Sequence, residues 1–372
     1  MIQLPRVLFI VSPKLSKMKL QRAFSNLLLI LAIILNPQIS NTSADIIMFY
    51  DFEFGSTGSG DGEFGSPNGV ETNGTHVFVS DAYDRVQVFD MFGHYVMQFG
   101  TSGTGDGQFN NPNGIAVNST NIFVADQSNH RVQIFDLKGT YVDQFGSQGT
   151  ANGQFDAPTG IEVDESGIYV CDSNNKRVEI LDLSGNFVDS ISVPCLGLAV
   201  NSTHIFVGVW DDQTLNIYTK SGTLDDKIVT YGKNDQLFAP WDVELTEDYI
   251  ITTDVYSKNY GILIFDYSGE FQYKIGEEGS GAGQFGSGSF GGGTLAVDGN
   301  RIYISDATYN RVEAFLFGEY NPNQVTIDNP TTINNPTTIE TTKTTNAPFV
   351  TLNMILVSLS AILVIKKKRL LT

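Results

Sequence analysis

One polar pair recurs along this sequence: an aspartate that closes a hydrophobic run and an arginine four or five residues later. It stands as Asp81/Arg85, Asp126/Arg131, Asp172/Arg177 and Asp306/Arg311. Four such pairs arranged round one centre would make an anion or metal site. The simpler account is a structural ion pair that fixes one loop and is repeated because the unit is repeated. Histidine is scarce, with only His76, His94, His130 and His204 in the chain, whereas zinc needs several convergent ligands. Oxygen donors are plentiful. Asn68, Asn113 and the strand-ending aspartates offer a Ca²⁺ site, although nothing in the spacing demands a cofactor. Neither a Ser–His–Asp arrangement nor a paired general acid and base can be built from these spacings.

Other residues suit recognition rather than catalysis. Aromatic and polar side chains cluster between hydrophobic runs: Tyr83 and Asp84, Asn129 and His130, Asn174 and Lys176, then Trp210, Asp211 and Asp212. Tyr256 and Lys258, then Tyr309 and Asn310, continue the series, and Trp241 opens a hydrophobic run of its own. Exposed aromatics among polar groups suit a binding surface, and ordinary loop filling is the plainer alternative. Asn41, Asn73, Asn118 and Asn201 begin N-x-S/T sequons. Cys171 and Cys195 either form a disulfide or stand as two buried thiols.

The elements that position these residues come from a repeat. "GTGDGQFNNPNGIAVNSTNIFVADQSNHRVQIFDLKGTYVDQFG" (103–146) recurs at 58–100 and 149–191, less exactly at 193–229 and 232–275, and again at 279–318. The period of about 40 to 46 residues falls in the range of four-stranded propeller blades. Each unit reads as an inner strand ("GIAV"), a polar turn, "IFVAD", a short loop, "RVQIFD", a glycine turn and "YVDQFG". The sixth unit lacks its last strand. "IIMFYDFEFG" (46–55) supplies it, because Tyr50, Phe54 and Gly55 align with Tyr95, Phe99 and Gly100. The expectation is an all-β, six-bladed β-propeller closed by its N-terminal strand.

The pattern "GxGDGQFxxPxGIAVxxxxIFVADxxNHRVQIFD" resembles the NHL repeat over about 46–320, clearly in units 1, 2, 3 and 6. Unit 4 departs from it by lacking the Gly-rich inter-blade loop and by placing Val209 where the others have Asp. Unit 5 departs with "NYGILIFD". The resemblance implies a scaffold used elsewhere for RNA binding, protein interaction, extracellular sensing and a peptide-amidating lyase, and the fold alone does not choose among these. The lyase's histidine set is not assembled here. His76, His94 and His204 fall in turns on one face of such a disc, and His130 falls on the other. Asn73, Asn118 and Asn201 occupy one equivalent turn, so sugars there would coat a single face. The opposite face, built from the loops after the second strands, is the expected binding face. The expected binding set is Tyr83, Asp84, Asn129, His130, Asn174, Lys176, Trp210, Asp211, Asp212, Trp241, Tyr256, Tyr309 and Asn310. Cys171 and Cys195 fall near that face on neighbouring units.

Charge narrows the partners. Residues 46–320 carry 12 Lys and Arg against 38 Asp and Glu. Such a surface repels phosphate backbones, so nucleic acid is excluded as a partner, while cations, basic proteins or plain solubility fit. The ends read as addresses. Residues 1–44 form a signal segment with a basic stretch, an apolar run from Ala23 to Leu35 and a cleavage site after Ala44. Met18 is an alternative start, and an uncleaved anchor is the other reading. Residues 321–348 are a Thr/Asn/Pro-rich stalk, 349–365 an apolar transmembrane span, and 366–372 a basic cytoplasmic tail. The expected protein is a non-enzymatic cell-surface binding module for a protein, peptide or glycan, anchored through its C-terminal helix. The alternative is a divalent-metal-dependent lyase or lactonase-like enzyme with its site at the central channel.

Overall fold

The computed structural model describes residues 45–229, 239–254, 261–286 and 293–320. The chain divides into one unit of Ile46–Gly318 and a second of Met1–Asp45 with Glu319–Thr372, which lies almost wholly outside the described residues. The signal, stalk, span and tail expected above therefore lie outside them too. No helix among the described residues is long and apolar enough to cross a membrane.

The larger unit contains six four-stranded sheets, five stepping from inner to outer strand in chain order and the sixth taking its outermost strand from the N-terminal end of the unit. Blade 1 comprises Pro67–Thr72, His76–Asp81, Arg85–Asp90 and Tyr95–Phe99. Blade 6 comprises Leu295–Asp298, Arg301–Asp306 and Arg311–Tyr320, and its outermost strand is Asp45–Phe54. Neighbouring inner strands touch in cyclic order, the last meeting the first. The ring is thus a six-bladed propeller closed by its N-terminal strand.

Burial explains the sequence pattern. Second and third strands are covered on both faces by adjacent blades, so "HVFVSD" and "RVQVFD" are buried almost throughout. Fourth strands lie at the rim, and "YVMQF" alternates between half-buried and exposed. The apolar clusters lie between blades. Phe78, Val86 and Val88 of blade 1 pack on Phe109, Ile115 and Ile122 of blade 2. At the closing seam Phe52, Phe54, Tyr303 and Val312 meet Phe64, Val70 and Phe89 in the same manner. Each buried Phe contributes roughly 1.5–3 kcal/mol, so the seam is held by the same kind of force as any other blade junction.

The Gly-rich inter-blade loops each sink one phenylalanine: Phe64, Phe109, Phe155 and Phe285 are all fully buried. Gly100 shows why a glycine must stand beside them. Its φ is +94°, and a Cβ there would sit 2.4 Å from the Phe109 ring. The recurring arginine holds the same loop. Arg131 Nε donates to Asp126 Oδ2 at 2.8 Å, while Nη2 donates to the Gly105 and Gln108 carbonyls, both at 2.8 Å. Arg85 and Arg177 do likewise beside Asp81 and Asp172, while Arg311 holds its loop through the Gln284 carbonyl and lies 3.5 Å from Asp306 without bonding it. These side chains are occupied by the fold.

The two deviant blades keep four strands by different chemistry. In blade 4 both partners of the ion pair are gone, and Thr214 donates to Asn216, which donates to the Tyr218 hydroxyl. Replacing both members by neutral groups leaves no stranded charge. In blade 5 Gly261 stands where the arginine would be. A Cβ there would lie 2.8 Å from Lys274 Cε, so the glycine makes room for a lysine reaching in from the fourth strand, where Asp254 attracts it. Cys171 of blade 3 and Cys195, just ahead of the inner strand of blade 4, form a disulfide.

Candidate functional site: an acidic channel and an aromatic loop face

The inner strands line the central channel at very close quarters. A Cβ on Gly69, Gly114 or Gly160 would lie 2.2, 2.4 or 2.6 Å from the carbonyl oxygen of Asn113, Thr159 or Leu196 in the next blade. Only glycine permits that approach. Blades 5 and 6 carry Asp242 and Thr294 at this position, and each bonds across its own seam. Asp242 Oδ2 accepts the Leu295 N–H at 2.8 Å, and Thr294 Oγ1 accepts the Val70 N–H at 2.7 Å.

Two residues further along, the six inner strands carry Glu71, Ala116, Glu162, Ala199, Glu244 and Ala296 in strict alternation. The small alanines leave room for three carboxyls, each with one oxygen within 4.8 Å of an oxygen of the other two. Their side chains are half-buried, since the channel is open, yet the surrounding strands desolvate them strongly. Burial pushes Glu71 up to about 8, offset in part by the Thr72 N–H it accepts, with Asp242 raising it further. Burial likewise raises Glu162 and Glu244 well above the carboxylate range, and mutual repulsion adds to it. Asp242, desolvated in the same channel, rises to about 7. No basic side chain lines this channel among the described residues. Such a set stays together by holding protons or by holding a cation, and an all-oxygen set selects a hard one such as Ca²⁺, Mn²⁺ or Mg²⁺.

This corrects the expected metal ligands. The strand-ending aspartates face their arginines and not the channel. Asn68 donates its amide to the Pro112 carbonyl at 3.0 Å, and the Asn113 carbonyl accepts from Ser80. Intervals along the chain do not reveal the channel glutamates, because no single repeat contributes more than one of them to the channel. Their signal was the alternation of Glu and Ala across aligned units.

The loop face needs a second correction. Asp84, His130 and Asn310, expected to bind ligand, all have left-handed backbones with φ of 59°, 56° and 54°. Their side chains staple one blade to the next. Asp84 Oδ1 accepts the Asn111 N–H at 2.7 Å, His130 Nδ1 the Ala157 N–H at 3.1 Å, and Asn310 Oδ1 the Ser66 N–H at 2.6 Å. Lys176 shares that backbone and crosses to Asp211 of blade 4 at 3.6 Å. Asn129 is spent on Gly103 O and Asp126, and Asn174 donates to Asp156. Trp241 is half-buried at the start of its inner strand. Tyr256 and Lys258 lie outside the described residues.

Three aromatic rings stay open on this face, together with Asp211 and Asp212. Tyr83, Trp210 and Tyr309 are 48, 49 and 39% exposed in corresponding loops of blades 1, 4 and 6. The tyrosine rings lie over Arg85 and Arg311, which orients them in advance. On the other face Asn73, Asn118 and Asn201 each turn Oδ1 inward to accept two backbone N–H groups and a threonine hydroxyl. His76 and His204 begin second strands nearby, and His94 pairs with Asp90 at 2.8 Å. The histidines do not come together. Asn41 lies outside the described residues.

Fold and channel together define a six-bladed β-propeller with an acidic bore. The chain belongs to the DUF5128 family, described as a 6-bladed beta-propeller, which it matches over 117–221 and 232–332. No curated protein sequence matches it. Among solved structures, it resembles a Bacteroides thetaiotaomicron protein of unknown function at 15% identity and a TM-score of 0.54, covering 74% of this chain and 77% of that one. Virginiamycin B lyase from Staphylococcus aureus aligns at 12% identity and a TM-score of 0.49, over 73% of this chain and 99% of that one. A streptogramin B lyase aligns at 13% and 0.48, over 76% and 91%. At these identities the likeness is one of fold.

Proposed function

We propose that this chain is a non-enzymatic binding module of NHL type, displayed outside the cell on the 321–348 stalk and anchored by the 349–365 span. Its ligand, a protein, peptide or glycan, engages the face bearing the second-to-third-strand loops. The observation that carries this reading is the trio Tyr83, Trp210 and Tyr309, which stay exposed while Asp84, Asn129, His130 and Asn310 are consumed by the fold. Pre-oriented rings on rigid blades lose little entropy on binding. A disulfide within the ring suits an oxidising compartment. Any sugars at Asn73, Asn118 and Asn201 would leave the loop face clear. The test uses the full chain in detergent against arrays of glycans and peptides. A Tyr83→Ala/Trp210→Ala/Tyr309→Ala variant with unchanged melting should lose every hit. Hits that persist in it sink the reading.

A second reading has its own observation in the channel. Three glutamates within 4.8 Å of one another would hold a divalent cation, the basis for the metal-dependent enzyme alternative. A Ca²⁺-dependent rise of several degrees in melting temperature, abolished by Glu162→Gln, supports it. Identical melting in Ca²⁺ and in EDTA removes it.

A further inference from the structure

Among the described residues the loop face is incomplete between blades 3 and 4, and the residue standing there is a tryptophan. Inter-blade loops run from Phe99 to Pro112 ahead of blade 2 and from Phe145 to Pro158 ahead of blade 3. Ahead of blade 4 the strand ends at Ile191 and the next begins at Leu198, with the disulfide at Cys195 fastening the shortened segment. In blades 1, 2 and 3 the loop after the second strand is bonded to that longer loop, through Ala82 N–H to Gly65 O, Ser128 N–H to Asn110 O and Asn174 N–H to Asp156 O. The corresponding loop of blade 4, Trp210 to Gln213, makes no such bond among the described residues. Thr214 has also replaced the arginine on which Tyr83 and Tyr309 lie. Trp210 is therefore held by neither device and stands half-exposed at a notch in the disc.

The charges round the notch indicate its occupant. Asp211 and Asp212 are both exposed, and Lys176, the cation that meets them among the described residues, lies within 3.6 Å of Asp211. A π face flanked by surplus carboxylate attracts a cation, and repels the phosphates and carboxylates of an acidic partner. We infer that the notch between blades 3 and 4 docks a lysine- or arginine-bearing peptide segment, whose cationic side chain lies over the Trp210 ring with Asp211 and Asp212 as counter-charges. This rests on the loop-face reading above and narrows it to one seam and one chemistry. Charge decides between a basic peptide and a sugar stacked on the same ring, because a neutral sugar leaves the acidic surplus unanswered.

The chain has two tryptophans, so Trp241→Phe leaves Trp210 as the only indole fluorophore. The probe is a synthetic peptide of four arginines spaced by glycine, with its tetra-aspartate counterpart as control, added to the full chain in detergent. Saturable quenching of Trp210 by the basic peptide alone, weakened at least tenfold by Asp211→Asn/Asp212→Asn, is the expected result. Asp143→Asn/Asp189→Asn removes equal charge from exposed outer strands and should change affinity less than twofold. Equal weakening by both double variants would reduce the effect to general attraction by an acidic disc and overturn the proposal. So would quenching by neutral oligosaccharide but not by peptide. Peptide binding that survives Trp210→Ala and is lost in Tyr83→Ala/Tyr309→Ala would also overturn it, while leaving the broader loop-face reading standing. Unchanged melting of each variant confirms that the fold is intact.

Discussion

Replacing Glu313 with glutamine should stabilise the propeller at neutral pH and do little in acid. Glu313 is fully buried in the third strand of blade 6, where blades 1 and 2 carry Gln87 and Gln133. Its Oε1 accepts the Gly283 N–H at 3.2 Å and pairs with Arg311 at 3.1 Å, but Oε2 has no hydrogen bond, and neither has Asp306 Oδ2. In blade 2 the glutamine amide occupies this place, donating to the Gln108 carbonyl at 2.7 Å and to Asp126 Oδ2 at 3.0 Å. Glutamine at 313 would therefore satisfy the two atoms that the glutamate leaves without a bond. Burial pushes Glu313 from 4.5 up to about 8, only partly countered by Arg311. A carboxyl whose affinity for protons rises on folding costs nothing below about pH 4.5. It then destabilises by about 1.4 kcal/mol per pH unit until the folded group ionises near 8. At pH 7 that reaches about 3 kcal/mol, and the new hydrogen bond adds about 1 kcal/mol. Scaled for context, a gain of about 1–3 kcal/mol corresponds to roughly 2–6 °C in melting temperature for a domain of this size. Calorimetry of Glu313→Gln and wild type at pH 4.5 and 7.5 is the assay. A shift of equal size at both pH values, or a loss of stability at pH 7.5, refutes the argument.

Other outcomes follow from the same geometry. Burial raises Glu71, Glu162 and Glu244 above the carboxylate range, so without divalent cation the melting temperature should fall as pH rises from 5 to 8. The triple Gln variant should flatten that slope, as monitored by differential scanning fluorimetry. Gly114→Ala would drive a Cβ to 2.4 Å from the Thr159 carbonyl oxygen and should cost about 1–3 kcal/mol in urea unfolding. Arg131→Met removes the counter-charge of buried Asp126, together with bonds to the Gln144 side chain and to the Gly105 and Gln108 carbonyls. A loss of about 3–5 kcal/mol is expected there, against under 1 kcal/mol at exposed Lys138, both read by the same unfolding curves. Reducing Cys171–Cys195, separated by 24 residues, should lower stability by about 3 kcal/mol by the loop-entropy measure, seen as a lower urea midpoint in dithiothreitol.

The strands, the blade count and the exchange of the terminal strand were legible in the sequence, because each rests on a period carried by neighbouring residues. Alternation in "YVMQF", glycines beside a sunken phenylalanine and the missing sixth outer strand are local facts that repetition made unmistakable. The purpose of the polar loop residues was not legible. Asp84 meets Asn111 across a blade boundary, and Ser66 meets Asn310 across the closure of the ring. Such partners lie 27 or 244 residues apart, and side chains that look idle in sequence turn out to be staples. The channel acids make the same point more strongly. Each glutamate is ordinary within its own strand, and only closing six strands round one axis forces Glu71, Glu162 and Glu244 into a shared, poorly solvated space. Composition and period determined what the blades are. The closed ring decided which groups converge, because convergence depends on distances through space that no interval along the chain records.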